Sequence, residues 1–314
     1  MKIHICLLCF IIVSLSCVHA QKITFAPQWS PQSQFAGYYA ALEKGFYADA
    51  GLDVSIVHPT KSYGSMNMLK DGAADMITCE LIQAMMATDG DAGLVNLLQT
   101  TQHSTLVLLS RLKGISQMSQ LAGCRIGTWK VGFSEIPHMI DKEEKLGIEW
   151  VKCINPINLY ISGAIDATLV KSYNEEILFS MSGILPESVI MFSDLGFDYP
   201  EDGLYVTEEF FNRYPQQCRL FAEASRKGWE WVRNNRNEAL EIVMKHVKVE
   251  NVPTNIYNQK WMLEAILEVQ KDEKGGEPSY ILDADDFNRL NELLLKYGYI
   301  SKPVSYERFI GNNL

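Results

Sequence analysis

The stretch from residue 22 to residue 57, KITFAPQWSPQSQFAGYYAALEKGFYADAGLDVSIV, predicts a strand, a helix and a second strand in succession. Lys22 to Pro27 is the first strand, and an amphipathic helix follows from about Gln34 to Asp49. Gly51 is expected to end this helix, because glycine is favoured just past a helix C-terminus. Leu52 to Val57 is the second strand. A unit of this kind is typical of a parallel sheet covered by helices.

The alternation of strands and helices continues along the chain, restarts after Leu121, and gives way to helices alone from about Glu208. It indicates two successive α/β units followed by a helical segment. We therefore expect an α/β fold of two lobes, joined by hinge crossings, with the C-terminal helical segment packed on the first lobe. The crossings are expected near Leu109–Arg111 and Asp202–Leu204, with residues 21–110 and 204–314 in the first lobe and residues 111–203 in the second.

The composition is that of a globular protein, since 47% of the 314 residues are hydrophobic and 21% are charged. These fractions exclude a disordered chain, a collagen and a coiled coil. The chain has 28 basic and 38 acidic residues and a net charge of −10, without a basic cluster. A nucleic-acid partner is therefore not expected.

The first twenty residues have the features of a signal peptide. Lys2 precedes an apolar run from Ile5 to Leu15, and Val18-His19-Ala20 resembles the small-residue cleavage site at the end of a signal peptide. We therefore expect export to the periplasm. Lipid anchoring at Cys17 is the alternative, although Ser14 stands where a lipoprotein signal usually has leucine.

Four cysteines follow this leader, and their wide spacing matches no metal or redox motif. We expect neither a metal site nor a cofactor. Free thiols are the favoured interpretation, and two disulfides formed after export are the alternative. The four are Cys79, Cys124, Cys153 and Cys218.

The candidate binding site follows from the ends of the predicted strands, because ligands of open α/β sheets bind beyond the carboxyl ends of the strands. These positions carry aromatic, amide and carboxylate side chains, and Lys130 is the one obvious cation among them. The candidates for ligand binding are Trp29, Glu80, Gln102, Trp129, Tyr173, Asn174, Glu175 and Asp202.

These residue types indicate a flat heteroaromatic ligand that carries an amino group. Aromatic faces stack on planar rings, and carboxylate or amide oxygens accept hydrogen bonds from amino groups on such rings. A strong anion, by contrast, needs arginine, lysine or free helix N-termini.

Several short motifs resemble bacterial substrate-binding proteins related to fungal thiamine-pyrimidine synthase. The likeness runs from about Lys22 to His246 in the order of that family. Its motifs include Gln28-Trp29-Ser30-Pro31-Gln32, Phe35-Ala36-Gly37-Tyr38-Tyr39, Lys44-Gly45-Phe46-Tyr47, Gly72-Ala73-Ala74-Asp75, Leu121-Ala122-Gly123, Gly163-Ala164-Ile165-Asp166, Tyr173-Asn174-Glu175 and Glu201-Asp202-Gly203-Leu204-Tyr205.

The resemblance implies a type II periplasmic binding protein fold and a role in import. Bacterial members deliver thiamine pyrimidine precursors, formylaminopyrimidine or hydroxymethylpyrimidine, to an ABC transporter permease. The resemblance supports Trp29 as a stacking wall, Tyr173 and Glu175 as contacts from the second lobe, and Asp202 at the crossing. Phe35 and Tyr38 join the candidate ligand contacts, and a monomer is expected.

The chain departs from the fungal enzyme of this family at the residues that the resemblance assigns to chemistry. Cys79-Glu80 stands at the position of the lysine that forms a Schiff base, and Gln83 at that of the donated histidine. The segment 196–202 contains no cysteine where the enzyme has its cysteine-rich iron site. We therefore expect a binding protein, with three alternatives: a carrier of riboflavin or another flat heterocycle, a sensory module that presents a ligand to a membrane kinase, and a pyrimidine-processing enzyme.

Overall fold

The computed structural model describes residues 21–90, 93–130, 132–153, 156–181, 183–272 and 275–311. The predicted signal peptide and Cys17 lie outside the described residues. Among the residues described, no helix combines the length and apolar character needed to cross a membrane.

Two five-stranded sheets form the framework of the described chain. The first has the order β2-β1-β3-β10-β4 and the second the order β7-β6-β8-β5-β9. In each sheet the first three strands of this order are parallel to one another. The fourth strand is antiparallel to the third: β10 lies beside β3 in the first sheet, and β5 lies beside β8 in the second. The strands are β1 Gln21–Ala26, β2 Leu52–Ile56, β3 Met76–Glu80, β4 Leu94–Gln99, β5 Leu106–Ser110, β6 Arg125–Trp129, β7 Glu149–Cys153, β8 Ala167–Lys171, β9 Ser188–Met191 and β10 Asp202–Thr207.

Helices cover both faces of the two sheets, as the predicted alternation requires. They are α1 Ala36–Glu43, α2 Phe46–Asp49, α3 Ser65–Lys70, α4 Leu81–Asp89, α5 Glu135–Glu144, α6 Pro156–Ser162, α7 Glu175–Met181, α8 Glu208–Arg213, α9 Pro215–Asn234, α10 Arg236–Val249, α11 Ile256–Val269, α12 Ala284–Tyr297 and α13 Tyr306–Phe309, with 3₁₀ turns at Ser33–Phe35 and Met118–Leu121.

The predicted fold class is confirmed, including the helical C-terminal segment on the first sheet. Helix α9 packs against α1, where Gly37 faces Gly228 and the buried Trp229 contacts Tyr38 with a ring-centroid distance of 6.0 Å. Helices α12 and α13 cover the opposite face of the same sheet, where Phe287 and Phe309 are buried in its core.

The crossings between the sheets lie a few residues before the predicted positions. The chain passes from the first sheet to the second over residues 100–105 and returns over residues 192–201. The expected crossing near Leu109–Arg111 is wrong, because the apolar run from Leu106 to Ser110 is a fully buried strand of the second sheet. The return crossing ends at Glu201, directly before the predicted Asp202–Leu204, and these three residues begin β10, which lies antiparallel between β3 and β4. The division into lobes at residues 110 and 203 stays a prediction.

The first predicted helix is interrupted in the structure. A 3₁₀ turn at Ser33–Phe35 precedes α1, and Gly45 separates α1 from α2 with a φ of 80°. The left-handed conformation at Gly45 costs little because glycine has no Cβ, so the chain turns there without strain.

Cys79, Cys124 and Cys218 are free thiols in the described chain. Cys79 and Cys218 are buried, and Cys124 and Cys153 are partly exposed.

Candidate functional site

A cavity of about 510 Å³ lies where the carboxyl ends of strands from the two sheets face each other. Three parts of the chain form its walls: the turn after β1, the ends of β6 and β8 with the start of α7, and the segment that leads into α11. Residues that represent these walls are Trp29, Trp129, Tyr173, Glu175, Asn255 and Asn258.

Trp29 forms the wall on the side of the first sheet. The turn that carries it is anchored by Gln28, whose backbone N–H donates to Thr78 Oγ1 at 2.9 Å. His58 holds the next peptide, since its Nδ1 lies 2.8 Å from the carbonyl oxygen of Trp29. The Nε2 of His58 lies 3.2 Å from the Tyr39 hydroxyl. Burial lowers the pKa of His58, so a neutral ring donates through Nδ1 and accepts through Nε2.

Trp129, Tyr173, Asn174 and Glu175 form the wall on the side of the second sheet. Strand β8 ends at Lys171, and the Glu175 side chain turns back to accept a hydrogen bond from the Lys171 backbone N–H at 3.0 Å. The Asn174 amide donates to the other Glu175 oxygen at 3.2 Å. Burial raises the pKa of Glu175. The carboxyl group is thus held in place at the cavity and has remaining acceptor capacity.

The third wall comes from the C-terminal helical segment, which sequence reasoning did not place at the site. Gln259 fixes α11 to the turn before α1, because its Oε1 accepts from the Ser33 backbone N–H at 2.7 Å and its carbonyl oxygen accepts from Ser33 Oγ at 2.7 Å. Asn258 donates through Nδ2 to Thr254 Oγ1 at 3.2 Å. The Asn255 side chain caps α11 by accepting from the Asn258 backbone N–H.

A buried ion cluster lies beside the large cavity. The Lys171 ammonium is 2.8 Å from Glu80 Oε1 and 2.9 Å from Glu201 Oε2. Glu201 also accepts hydrogen bonds from Ser104 and from the backbone N–H and hydroxyl of Thr105. A small cavity of about 30 Å³, lined by the three charged residues and Glu135, adjoins the cluster.

Burial and charge act in opposite directions on the groups of this cluster. Burial lowers the pKa of Lys171, but the carboxylates of Glu201 and Glu80 raise it by more, so its pKa lies above the ordinary value. Burial raises the pKa of Glu80 in spite of the nearby ammonium. Burial likewise raises the pKa of Glu135. Lys171 is therefore a charged ammonium that is already paired with two carboxylates.

Five of the candidate residues come together at the large cavity, and five lie elsewhere. Trp29, Trp129, Tyr173, Asn174 and Glu175 line the cavity. Glu80 lines the small cavity beside the ion cluster. Phe35 and Tyr38 are buried in the core of the first sheet. Their ligand contacts stay predictions.

Gln102 and Asp202 are engaged within the protein. The Gln102 side chain donates to the Gln99 carbonyl oxygen at 3.1 Å. Asp202 is buried and accepts hydrogen bonds from the side-chain amides of Gln28, at 2.8 Å, and Gln34. Burial raises the pKa of Asp202, and these amides offset part of the effect. Neither residue lines the large cavity, so their ligand contacts also stay predictions.

Sequence reasoning missed Lys171 and Asn258, and it placed Glu201 at the crossing without proposing it as a ligand contact. Lys171 is the last residue of a buried strand and lines both cavities. Lys130, the cation that the strand ends suggested, is exposed to solvent. A lysine that follows Leu-Val in a strand, as Lys171 does, offers no sequence signal that distinguishes it from a strand-edge lysine.

The arrangement suits a planar ligand that lies between aromatic walls and meets hydrogen-bonding groups at its edges. Within the described part of the chain, no group of three or more His, Cys, Asp or Glu side chains is suited to hold a metal ion. The site offers stacking surfaces, amides and carboxyl groups.

Two α/β sheets with two crossings and a cleft between them define the periplasmic binding protein fold. The periplasmic aliphatic sulphonate-binding protein SsuA of Escherichia coli has this architecture and superposes with a TM-score of 0.64, at 13% identity over 92% of each chain. The family model described as NMT1/THI5 like matches residues 32–239, which is more than half of the chain. The chain therefore belongs to the NMT1/THI5-like family, and the resemblance seen in its motifs is confirmed.

Curated relatives include both a binding protein and an enzyme. The formylaminopyrimidine-binding protein of Halalkalibacterium halodurans is 22% identical over 89% of this chain and 86% of its own length. The 4-amino-5-hydroxymethyl-2-methylpyrimidine phosphate synthase THI13 of Saccharomyces cerevisiae is 26% identical over 67% of each chain.

Proposed function

We propose that this protein is an extracytoplasmic substrate-binding protein that delivers a thiamine pyrimidine precursor, formylaminopyrimidine or hydroxymethylpyrimidine, to an ABC importer. The observation that carries the proposal is the cavity whose opposite walls present Trp29 from the first sheet and Trp129 from the second. A pyrimidine ring between these walls is buried only when the two sheets approach each other, which is the hinge closure typical of such proteins.

The chemistry of the walls fits an aminopyrimidine. A stacked aromatic pair contributes roughly 0.5–1.5 kcal/mol beyond the area that it buries. Glu175 is held at the wall by the Lys171 backbone N–H and by Asn174, and its oxygens accept hydrogen bonds from an amino group on the ring. The name of the relative from Halalkalibacterium halodurans supports the same class of ligand.

The charge of the cavity disfavours a strong anion such as a sulfonate. Among the described residues that line the cavity, Lys171 alone is basic. Its ammonium is already bound by Glu80 and Glu201, so an anionic ligand would have to compete with two carboxylates for it. A neutral ligand meets no such competition.

The same residues support a binding protein over an enzyme. A lysine that forms a Schiff base must be available as a neutral amine. The carboxylates of Glu201 and Glu80 hold Lys171 in its charged form. The resemblance puts Cys79-Glu80 at the position of the enzyme's lysine, and burial raises the pKa of the Cys79 thiol well above the ordinary value. Neither group is an activated nucleophile.

Calorimetry tests the proposal. The chain from Gln21 onward is unfolded and refolded to remove carried-over ligand, and then titrated with hydroxymethylpyrimidine, formylaminopyrimidine, thiamine and riboflavin. We expect one of the pyrimidines to bind and Trp29→Ala to abolish its binding. Trp261→Ala is the matched control, because Trp261 is 61% exposed on α11 and outside the cavity.

The other outcomes overturn the proposal in different ways. Binding of riboflavin alone would support a role as a carrier but would refute the pyrimidine as its ligand. Binding of none of the four by folded protein would remove the ligand class altogether. Turnover of a pyrimidine would establish an enzyme. In cells, a pull-down that recovers a membrane kinase without a permease would assign a sensory role.

A further inference from the structure

A chain of hydrogen-bonded side chains runs from Asp202, at the start of β10, to the wall of the large cavity. The Gln34 amide donates through Nε2 to Asp202 Oδ2. Gln32 in turn donates through Nε2 to Gln34 Oε1 at 2.5 Å. Asp202 and Gln34 are buried, whereas Gln32 is half-buried and lines the cavity. The chain therefore connects a buried carboxyl group of the first sheet with the candidate site.

The carboxyl group of Asp202 sets the direction of both amides. An ionised carboxylate can only accept hydrogen bonds, and Asp202 accepts from Gln28 through Oδ1, at 2.8 Å, and from Gln34 through Oδ2. Burial raises the pKa of Asp202, while these two amides favour its charged form. Because Gln34 turns its NH₂ group toward Asp202, its oxygen is left for Gln32. Gln32 must then turn its own NH₂ group toward Gln34.

The side-chain oxygen of Gln32 is left as an acceptor at the cavity. Among the described residues, none donates a hydrogen bond to Gln32 Oε1, and this oxygen is not buried. Gln32 belongs to the wall of the first sheet, three residues after Trp29, whereas Glu175 belongs to the wall of the second sheet. The two walls thus present one acceptor each. A ligand whose amino group is bound by Glu175 needs a further donor to use the oxygen of Gln32.

We propose that Asp202 and Gln34 position Gln32 as a hydrogen-bond acceptor, and that the ligand carries a second donor for it on a substituent of the ring. This inference rests on the proposed function and deepens it, since Glu175 binds the ring amino group and Gln32 binds the substituent. The hydroxyl group of hydroxymethylpyrimidine and the formamide N–H of formylaminopyrimidine are donors of this kind. A methyl substituent at the same place is not.

The test compares hydroxymethylpyrimidine with the analogue in which a methyl group replaces the hydroxymethyl group, by calorimetry on the refolded chain from Gln21. We expect the unsubstituted protein to bind the methyl analogue about tenfold more weakly, which corresponds to about 1.4 kcal/mol. Gln32→Leu should weaken binding of hydroxymethylpyrimidine by a similar factor and leave binding of the analogue unchanged. Gln216→Leu is the matched control, because Gln216 is exposed at the start of α9 and outside the cavity.

Double-mutant cycles separate positioning from a structural role. Asp202→Asn replaces an acceptor oxygen with an NH₂ group, so that the amides of Gln34 and Gln32 can reverse. Gln34→Met removes the link between Asp202 and Gln32 without changing the carboxyl group. We expect each substitution to weaken binding of hydroxymethylpyrimidine severalfold in the unsubstituted protein and to have no further effect in Gln32→Leu, because coupled residues do not act additively.

Three results would overturn the inference. Losses of equal size with and without the Gln32 side chain would give Asp202 and Gln34 a structural role only. Equal affinity of the unsubstituted protein for hydroxymethylpyrimidine and its methyl analogue would refute the second donor and leave the proposed function standing. An unsubstituted protein that binds neither of these pyrimidines nor formylaminopyrimidine would overturn both the inference and the proposed function.

Discussion

Lys171, at the end of β8, forms a buried ion pair of 2.8 Å with Glu80, at the end of β3. The two strands belong to different sheets, so the pair joins the lobes at the floor of the cleft. Both side chains are less than a tenth exposed, at 5% and 7%. Burying two charges costs free energy, and each charge is compensated only while its partner lies beside it. The pair therefore links stability to the arrangement that the two sheets have in this structure.

Replacing the lysine of this pair should be strongly destabilising. In Lys171→Met, Glu80 and Glu201 lose their shared counter-ion, and removal of one member of a buried pair costs about 3–5 kcal/mol. Urea unfolding measures the loss. Lys296→Met is the control, because Lys296 pairs with Glu143 across the surface at 3.1 Å with both side chains more than half exposed, and such pairs contribute about 0–1 kcal/mol. Equal losses in the two variants would contradict the role of the buried pair.

The deficit of Lys171→Met should shrink as the pH falls. Burial raises the pKa of Glu80 even with the ammonium present, and the ammonium lowers it, so loss of Lys171 raises it further. A carboxyl group whose pKa is raised on folding contributes most stability below its unfolded pKa of about 4.3 and loses it as the pH rises through the folded value. Unfolding of both proteins between about pH 5 and pH 8 tests this. A deficit that grows at low pH would refute it.

His58 should act as a positioning residue for Trp29. His58→Ala removes the hydrogen bond to the Trp29 carbonyl oxygen and should weaken binding of hydroxymethylpyrimidine by up to about tenfold, the effect of a single hydrogen bond. The matched variant is His138→Ala, because His138 is also half-buried but packs on Trp150 away from the cavity. Equal affinity in both variants would show that His58 does not position the wall.

His58 should also make the free energy of unfolding depend on pH. Burial lowers its pKa, and the Trp29 carbonyl oxygen and Glu250 offset only part of this. A histidine with a lowered folded pKa contributes stability above its unfolded pKa of about 6.5 and loses it as the pH falls through the folded value. The stability difference between the unsubstituted protein and His58→Ala, measured in urea, should therefore fall as the pH is lowered below about 6.5. A difference that rises instead would contradict a neutral His58.

Gly228 should not tolerate a methyl group. A Cβ at this position would meet the Gly37 carbonyl oxygen and lie 2.9 Å from the Ala41 Cβ, where α9 crosses α1. Overpacking of this kind costs about 1–3 kcal/mol, so Gly228→Ala should lower the melting temperature. Gly64→Ala is the control, because nothing lies within 4 Å of a Cβ there and φ is −75°. An unchanged melting temperature in Gly228→Ala would mean that the two helices are not in close contact.

The thiols should fall into two classes of reactivity. Burial raises the pKa of Cys218 to about 12 and also raises that of the buried Cys79, and the thiolate is the reactive form. Cys124 and Cys153 are partly exposed. A thiol reagent should label these two first in the folded protein and all four in urea. Fewer than four reactive thiols in urea would indicate a disulfide.

Much of the cavity could be predicted from the sequence, because the ends of strands can be located from local hydrophobic patterns. Trp29 and Tyr173 follow apolar strands, Trp129 is the last residue of one, and strands of a parallel sheet end at a common edge. Strand β10 was missed because it begins with Asp202-Gly203, a pair typical of turns. Lys171 and Glu80 meet only through the tertiary fold. Asn258 lies on an amphipathic helix, where an amide usually faces solvent.

The two hydrogen bonds between Gln259 and Ser33 have an evolutionary consequence. They attach α11 to the first lobe at one turn, so the wall with Asn258 is added to a floor built by strands from both sheets. Under the proposed function, ligand preference can then change through substitutions in one late helix while the strands of both sheets stay as they are. The family model matches residues 32–239, and helix α11 lies beyond that stretch, so α11 is where we expect differences in ligand preference between relatives.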